Sequence, residues 1–331
     1  MLSPLRFHPY LRPMVWGGRA LADRCGKILP TNENYGESWE ISDHPLHYSI
    51  VSQGPFQGQT LHQLLHTYRE ALVGPSHRNC SLFPWLVKFL DCHDWLSVQV
   101  HPDESAVRDL LPGEQSKTEA WLILDARPEA RVYAGLQPGV DAATFERAML
   151  QGTVADCLHS FVPKPGDCLF LPAGTVHAVG GGVLLAEVQQ TSDATFRLFD
   201  WNRLGPDGKA RPLHRREGLA SIHWQAGPVT PIPAQDYGQS HRPVWQSLVR
   251  CPYFELTYVQ QKEPFSLGGS GQMLALMVLH GSLQMDTREG THRLSTGETV
   301  LLPASCPEHE FRPSPNVGLL LASLPRNTNA A

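Results

Sequence analysis

The chain has 331 residues, which is long enough for two domains or for one large domain with an ample core. Hydrophobic residues make up 41 % of it and charged residues 18 %, as in ordinary globular proteins, so a disordered or fibrous chain is excluded. The net charge is −5 and no basic run occurs, so neither nucleic acid nor an anionic membrane surface is an expected partner.

The remaining composition points to a mainly β protein of the cytoplasm. The 28 glycines and 28 prolines favour a turn-rich chain over a helical bundle. No apolar stretch is long enough to span a membrane, and the first residues lack the apolar centre of a signal peptide. The seven cysteines form no C-x-x-C pair, so we expect reduced thiols, a cytoplasmic location and no structural zinc cluster of thiolates.

In the first hundred residues, the prolines and the pair Gly17-Gly18 predict an irregular segment up to residue 18. Thr60 can cap a helix whose leucines form one apolar stripe. Two apolar runs, 85–91 and 95–100, are separated by polar residues and are interpreted as a β-hairpin.

The second run of this predicted hairpin carries polar side chains on one face. Ser97, Gln99 and His101 alternate with aliphatic residues, so on a strand the three polar side chains point the same way. Pro102 keeps His101 extended, because a residue before proline avoids the helical region.

A short helix capped by Asp103 and running to residue 111 is predicted next. The strand 117–124 follows, and its alternation places Lys117, Glu119 and Trp121 on one face. Helices are also predicted at 141–150, after the cap Asp141, and at 213–222.

A histidine on a tight turn stands out between the strands predicted from residue 158 to residue 201. Gly166 is followed after five residues by Pro172, then by Gly174 and His177, with apolar runs on both sides. Such a histidine either points into the space that the two strands enclose or is satisfied locally within the turn.

The same spacing returns 131 residues later. Gly297 is followed after five residues by Pro303, and Glu308 stands at the position of His177, with His309 one place further on. This echo predicts two similar β-barrels or sandwiches, the second reduced to a structural role. The proline-bearing stretch 227–234 is the predicted linker between a first domain of residues 1–226 and a second of residues 235–331.

Four side chains in the first unit resemble a metal-binding set: Gln99, His101, Glu119 and His177. Imidazole, carboxylate and amide donors suit zinc, and so few anionic ligands leave room for water or substrate. The alternative from the residues alone is a polar, hydrogen-bonded patch in the core.

Several motifs resemble a known family. The glycine, proline and histidine spacing at 166–177 is similar to the second histidine motif of cupins. Ser-x-Gln-x-His-Pro at 97–102, Lys-x-Glu at 117–119 and Asp-x3-Arg at 193–197 closely resemble the type I phosphomannose isomerases. The likeness covers most of residues 10 to 203. It implies a mainly β fold of two cupin-type jelly-roll barrels or sandwiches with a few short helices.

The resemblance also implies a function, namely interconversion of mannose 6-phosphate and fructose 6-phosphate through an enediol with one Zn²⁺ per chain. Its zinc ligands correspond to the four residues of the metal set. It further implies Arg197 and Lys117 as catalytic residues and Ser97 and Lys88 as residues that bind the substrate or its phosphate. The base that takes the C2 proton is left open among Lys117, Asp193, Glu187 and a zinc-bound hydroxide, and so is the oligomeric state.

Two departures from the general pattern are visible. Generic cupins place their glutamate a few residues after the histidines, whereas Glu119 follows His101 by eighteen residues, a spacing that the isomerase family shares. The chain also has no room for the helical insertion of the longer family members, so it resembles the short bacterial form.

Two other functions compete with the isomerase. A cupin oxygenase with Fe²⁺ usually has two or three histidines with open positions, and Gln99 argues against it. A non-catalytic sugar-phosphate sensor would keep the metal pocket for binding alone. Retention of Lys117 and Arg197 beside the predicted ligands, with no basic patch for DNA, argues against the sensor.

Overall fold

The protein is built mainly from β-strands, with a few short helices. A computed structural model describes residues 2–205, 208–238, 242–287 and 290–325. The strands, in chain order, are β1 (Tyr10–Gly18), β2 (Tyr35–Ile41), β3 (Asp43–His44), β4 (His47–Tyr48), β5 (Trp85–Cys92), β6 (Val98–Val100), β7 (Glu119–Ala126), β8 (Arg131–Leu136), β9 (Leu158–Phe161), β10 (Asp167–Leu171), β11 (His177–Gly180), β12 (Val183–Gln190), β13 (Phe196–Phe199), β14 (Ile232–Pro233), β15 (Val244–Arg250), β16 (Glu255–Gln261), β17 (Phe265–Leu267), β18 (Leu274–Thr287), β19 (Gly290–Ser295), β20 (Thr299–Leu302) and β21 (His309–Ser323).

The helices are short and mostly begin where the sequence predicts. The Thr60 hydroxyl accepts a hydrogen bond from the Gln63 N–H, and Oε1 of Gln63 accepts one from the Thr60 N–H, which completes a capping box. Asp103 and Asp141 cap two further helices through a side-chain oxygen alone, which accepts from the Ala106 N–H and the Thr144 N–H. The helices are α1 (Ala20–Asp23), α2 (Leu61–Val73), α3 (Glu104–Leu110), α4 (Ala142–Gln151) and α5 (Arg215–Ser221).

Two antiparallel sheets form the larger part of the fold. The first has seven strands in the order β1-β2-β5-β12-β7-β10-β14, and the second has five in the order β13-β6-β11-β8-β9. Apolar side chains of both sheets meet in one buried cluster, which includes Trp121 and Leu185 from the first sheet and Val132 and Val179 from the second. The sheets are not closed, so this part is a sandwich with the predicted cupin architecture.

A third sheet holds the strands after residue 243. Its main order is β15-β16-β21-β18-β19, with β17 paired to β21 and β20 paired to β18. The long strands β18 and β21 pair along much of their length, with register shifts that interrupt the ladder. The sequence echo lies at β20 and the start of β21, so both copies of the motif follow a strand of a cupin-like sheet.

Two predictions about the first hundred residues were wrong. The segment predicted to be irregular contains β1, where Pro13 sits at a register shift on the edge of the sheet, a position that tolerates proline. The predicted hairpin does not exist, because β5 pairs with β2 and β12 whereas β6 pairs with β11 and β13. The polar residues after β5 therefore carry the chain from one sheet to the other.

The N-terminal segment fastens the third sheet to the first. Leu5 and Leu301 exchange backbone hydrogen bonds of 2.8 and 2.9 Å, and both side chains are buried. The same buried cluster contains Phe89 of β5 and Tyr258 of β16. Residues 232–233, within the predicted linker, form β14 on the edge of the first sheet. The division into domains at 226 and 235 stays a prediction.

Two further observations concern the cysteines and the helices. All seven cysteines carry free thiols, as the reduced-thiol prediction requires. In the ranges that the structure describes, no helix has the length and apolar character needed to cross a membrane.

The shared core predicts the effect of a substitution. Leu5→Ala removes a side chain that is 1 % exposed and leaves a cavity between the sheets, so the free energy of unfolding should fall by about 2–5 kcal/mol. Chemical denaturation measures this change. Leu150→Ala, at a position that is 71 % exposed, is the control and should change it by less than about 0.5 kcal/mol. Equal effects of the two variants would contradict this account of the core.

Candidate metal centre and substrate cavity

The turn before His177 is held by backbone geometry that requires glycine. Gly174 has a φ of +85°, and a Cβ built on it would lie 2.4 Å from the ring of His223. The Gly174 N–H donates to the carbonyl of His101 at 2.8 Å, so the two histidine-bearing segments are tied together. The Ala173 N–H donates to Oγ1 of Thr118, which joins the turn to the residue before Glu119.

Three predicted site residues lie in one row across the second sheet. Arg197 on β13 pairs with Gln99 on β6, and Gln99 pairs with His177 on β11. Neighbouring strands are separated by roughly 4.8 Å, so Arg197 lies roughly 10 Å from His177 along this row. The strand order therefore sets the spacing of the row.

The carboxylate of Glu119 lies between two imidazoles. Its Oε2 is 3.3 Å from Nε2 of His101, and its Oε1 is 3.2 Å from Nε2 of His177. All three side chains are buried, and one ligand atom from each lies within 4.8 Å of the others. Glu119 comes from the first sheet and the histidines from the second sheet and its connections, so the sandwich assembles the group.

Backbone carbonyls orient both imidazoles. Nδ1 of His101 donates to the Ala194 carbonyl at 2.8 Å, and Nδ1 of His177 donates to the Thr175 carbonyl at 2.9 Å. Each ring therefore carries its proton on Nδ1 and points the lone pair of Nε2 at Glu119. Burial lowers the pKa of His101 to about 4, which keeps this ring neutral at pH 7.

The group fits a cation. Nε2 of His101 and both carboxylate oxygens of Glu119 are buried without a hydrogen-bond partner, because lone pairs face lone pairs. Burial alone would raise the pKa of Glu119, but the charge of Lys117 and contacts with His101 hold it well below its usual range. Imidazole and carboxylate acceptors that converge in a buried site, with the ammonium group of Lys117 at 3.2 Å from Oε2 of Glu119, form a donor set that a metal ion can use.

Gln99 and Lys117 border the metal group on the side of a cavity. Nε2 of Gln99 donates to Nε2 of His177 at 3.2 Å, so the amide nitrogen faces the group here, and a flip of the amide would turn its oxygen toward it. Ser97 donates a hydrogen bond of 3.4 Å to the same amide. Nζ of Lys117 lies 3.2 Å from Oε2 of Glu119.

The cavity beside the metal group has a volume of about 260 Å³. Five of the eight predicted site residues line it, while His101, Glu119 and His177 lie behind them. The predicted residues in its wall are Lys88, Ser97, Gln99, Lys117 and Arg197.

Charged pairs occupy one side of this cavity. Lys88 lies 3.1 Å from Glu187, and Nε1 of Trp121 donates to the same carboxylate at 2.9 Å. Burial raises the pKa of Glu187, and this effect outweighs the lowering of that pKa by the charge of Lys88. Burial would also raise the pKa of Asp193, but Lys88 and Lys117 outweigh it and lower that pKa. The three protein groups considered as bases, Lys117, Asp193 and Glu187, thus all reach the cavity.

Several lining residues escaped the sequence reasoning. Arg12 lies on β1, in the segment predicted to be irregular, and pairs with Glu37 at 3.1 Å. Thr195 and Arg211 also line the cavity. Thr195 lies within the Asp-x3-Arg motif, so that motif could have identified it as a site residue. Arg211 follows a loop after β13 and belongs to no motif that the sequence reveals.

The second copy of the motif lacks a metal group. His309 begins β21 as His177 begins β11, so it matches His177 in the fold although Glu308 matches it by spacing. Nε2 of His309 faces the thiol of Cys306 at 3.2 Å, and its Nδ1 donates to the Asp286 carbonyl. Across the described ranges, the group around Glu119 is the one cluster of at least three acidic, histidine or cysteine side chains arranged for a metal.

Fold and site together define a cupin-type β protein with a buried His-Glu-His group able to hold a metal beside a polar cavity. A family model described as the catalytic domain of type I phosphomannose isomerase matches residues 5–120. The mannose-6-phosphate isomerase ManA of Bacillus subtilis is 34 % identical over 307 residues, covering 91 % of this chain and 93 % of that protein. The mannose-6-phosphate isomerase of Streptococcus mutans is 32 % identical over 320 residues, covering 94 % and 96 %.

A solved structure agrees with these relatives. The crystal structure of the mannose 6-phosphate isomerase from Bacillus subtilis superimposes with a TM-score of 0.85 at 28 % identity, covering 97 % of this chain and 99 % of that one. The chain belongs to the family of the type I phosphomannose isomerases. The family and fold predicted from the sequence are thereby confirmed.

Removal of one imidazole tests the metal group. His177→Ala should reduce the metal content per chain to near zero after dialysis, because the remaining ligands no longer enclose the ion. His309→Ala, at the matching place of the third sheet, should retain the metal. Elemental analysis measures the content, and far-ultraviolet circular dichroism should show that both variants keep the fold. Normal metal content in His177→Ala would refute this ligand set.

Proposed function

We propose that the chain interconverts mannose 6-phosphate and fructose 6-phosphate at the cavity beside Glu119. The observation that carries the proposal is a buried His-Glu-His group behind a polar cavity in a chain of this family. Isomerisation moves a carbonyl between C1 and C2, so a carbon-bound proton has to be taken and returned and the enediol between has to be stabilised. The cavity offers acid-base groups and fixed positive charge for these two tasks.

We further propose that the metal is Zn²⁺, one ion per chain, held by Gln99, His101, Glu119 and His177. Neutral imidazoles, a carboxylate and an amide form a donor set that suits zinc. When bound there, the ion supplies Lewis-acid polarisation of the sugar oxygens. The cytoplasmic location expected from the sequence stays a prediction.

Lys117 is assigned to proton transfer. Its ammonium group borders both the cavity and Glu119, so it stands where the substrate approaches the metal group. It can donate a proton to a sugar oxygen or, after losing its own, accept one. Glu187 and Asp193 are the other protein groups within reach of the substrate, and the positive charges of Lys88 and Lys117 stabilise the carboxylate form of both.

Arg197 is proposed as a catalytic residue, and Ser97 and Lys88 are proposed to bind the substrate or its phosphate. Arg197 lines the cavity one strand away from Gln99, and its guanidinium keeps its charge under all physiological conditions. Ser97 can share a hydrogen bond with a sugar hydroxyl. Lys88 is buried between Glu187 and the ring of Trp39, which fixes its position in the wall.

The competing functions fit less well. Two imidazoles and one carboxylate would also suit an Fe²⁺ oxygenase, so the argument against that function rests on the Gln99 amide beside His177. A sensor without catalysis would have no need for Lys117 beside Glu119 at the cavity wall.

An activity measurement tests the proposed reaction. The purified protein should convert mannose 6-phosphate into fructose 6-phosphate without consuming oxygen, should lose this activity on chelation, and should regain it with added Zn²⁺. A coupled assay for the ketose and an oxygen electrode make the measurement. Absence of turnover with zinc bound would refute the isomerase function and favour the sensor. Consumption of oxygen would favour the oxygenase.

Loss of Lys117 separates catalysis from metal binding. Lys117→Gln should lower kcat by about 10²–10⁴-fold, because a general acid-base group contributes on that order, while zinc content stays near one per chain. Lys164→Gln, at an exposed loop position, is the matched control and should keep the wild-type kcat. A normal kcat in Lys117→Gln would move the proton transfer to another group.

A further inference from the structure

Arg211 forms part of the cavity wall on the side of Arg197 and the edge strand β13. Residues 212–214 run beside the edge strand β13, where Nη1 of Arg197 donates to the Pro212 carbonyl at 2.9 Å. The His214 N–H donates to the Arg197 carbonyl, and Nδ1 of His214 accepts from the Arg197 N–H. This ladder places Arg211 next to Arg197, so the row from His177 through Gln99 to Arg197 continues to a second guanidinium.

A buried carboxylate fixes the orientation of Arg211. Its Nε donates to Oδ2 of Asp200 at 2.8 Å, and its Nη2 donates to Oδ1 at 2.6 Å. Asp200 is 5 % exposed and also accepts from Arg203 at 2.8 Å. A two-pronged contact of this kind holds a guanidinium in one plane and leaves the N–H groups of Nη1 for another partner.

The other cations of the cavity are neutralised within the wall itself. Arg12 pairs with Glu37, and Lys88 pairs with Glu187, both of which line the cavity. Lys117 pairs with Glu119 of the metal group. An anion that approached any of these three cations would meet a carboxylate at the same place.

The Arg197 and Arg211 end has the opposite balance. Asp200 is not part of the lining, and within the described ranges no carboxylate lies within ion-pair distance of Arg197. The two guanidiniums act on each other, since burial and the charge of Arg211 lower the pKa of Arg197. Net positive charge in a half-buried wall favours an anionic ligand group.

We propose that Arg211, held by Asp200 and adjacent to Arg197, binds the phosphate group of the substrate. This inference rests on the proposed function, and it fixes the direction in which the sugar phosphate lies. Its carbonyl end faces Gln99 and Lys117, and its phosphate lies roughly two strand spacings away, at the edge of the sheet. Arg211 is then the residue that distinguishes phosphorylated from free sugars.

Binding of inorganic phosphate tests Arg211 without any need for turnover. In calorimetric titration of the zinc-loaded protein, Arg211→Gln should weaken phosphate binding by about tenfold or more, because charge-assisted hydrogen bonds are lost. Arg147→Gln, on the exposed face of α4, is the control and should bind as the wild type does. Equal phosphate affinity in wild type and Arg211→Gln, or no binding by the wild type, would overturn the proposal.

Kinetics separate this role from a structural one. Arg211→Gln should lower kcat/KM for mannose 6-phosphate by about 10–100-fold, mainly through KM. Arg211→Lys keeps the charge without the planar fork and should recover part of the loss. Asp200→Asn should raise KM in the same direction with a smaller effect, because it weakens the orientation of Arg211. A loss that falls on kcat alone, or no recovery by lysine, would refute phosphate binding by Arg211.

A wild-type protein that binds phosphate through Arg211 yet fails to isomerise the sugar would refute the proposed function and leave the anion site standing. Normal isomerisation with unchanged KM in Arg211→Gln would refute phosphate binding by Arg211 and leave the proposed isomerase function standing. The two proposals therefore fail by different observations.

Discussion

The contact on which the site depends is the approach of two imidazole lone pairs to one buried carboxylate. Carbonyls of the main chain accept hydrogen bonds from Nδ1–H of His101 and His177, so each neutral ring presents the lone pair of Nε2 to Glu119. Without an ion, this arrangement leaves buried acceptors unpaired, which costs free energy. Rigid surrounding structure holds these side chains in place. The turn at Gly174 is hydrogen-bonded to the His101 carbonyl, and the two sheets pack over an apolar core.

The chemistry of the cavity follows from the order of the strands. Because β13, β6 and β11 are neighbours, Arg197, Gln99 and His177 lie in a row with fixed spacing. The first sheet adds Lys117, which precedes β7, and the paired Lys88 and Glu187 on β5 and β12. Carboxylates in the wall neutralise the cations near the metal group, whereas the end at the sheet edge has net positive charge. The two ends of the cavity therefore differ in charge. Because these residues lie on or beside rigid strands, this difference in charge does not depend on movement of loops.

The third sheet contributes support. Its motif copy keeps the turn but places His309 against a thiol and a backbone carbonyl, so the turn geometry persists without a metal group. The bridge between Leu5 and Leu301 and the shared apolar cluster join it to the first sheet.

The sequence alone determined the family, the mainly β class and the helix caps, and it singled out His101, Glu119 and His177, which the structure brings together. These depend on local spacing and on alternation along a strand. It failed where partners are distant in the chain. The polar residues after β5 are compatible with a hairpin, and only the pairing of β5 with β12 and of β6 with β11 shows that they connect two sheets. Arg211 has no motif, and its place in the cavity arises from packing beside β13 and from the buried Asp200. Tertiary structure decided these points because charge balance and cavity walls are properties of residues brought together by folding.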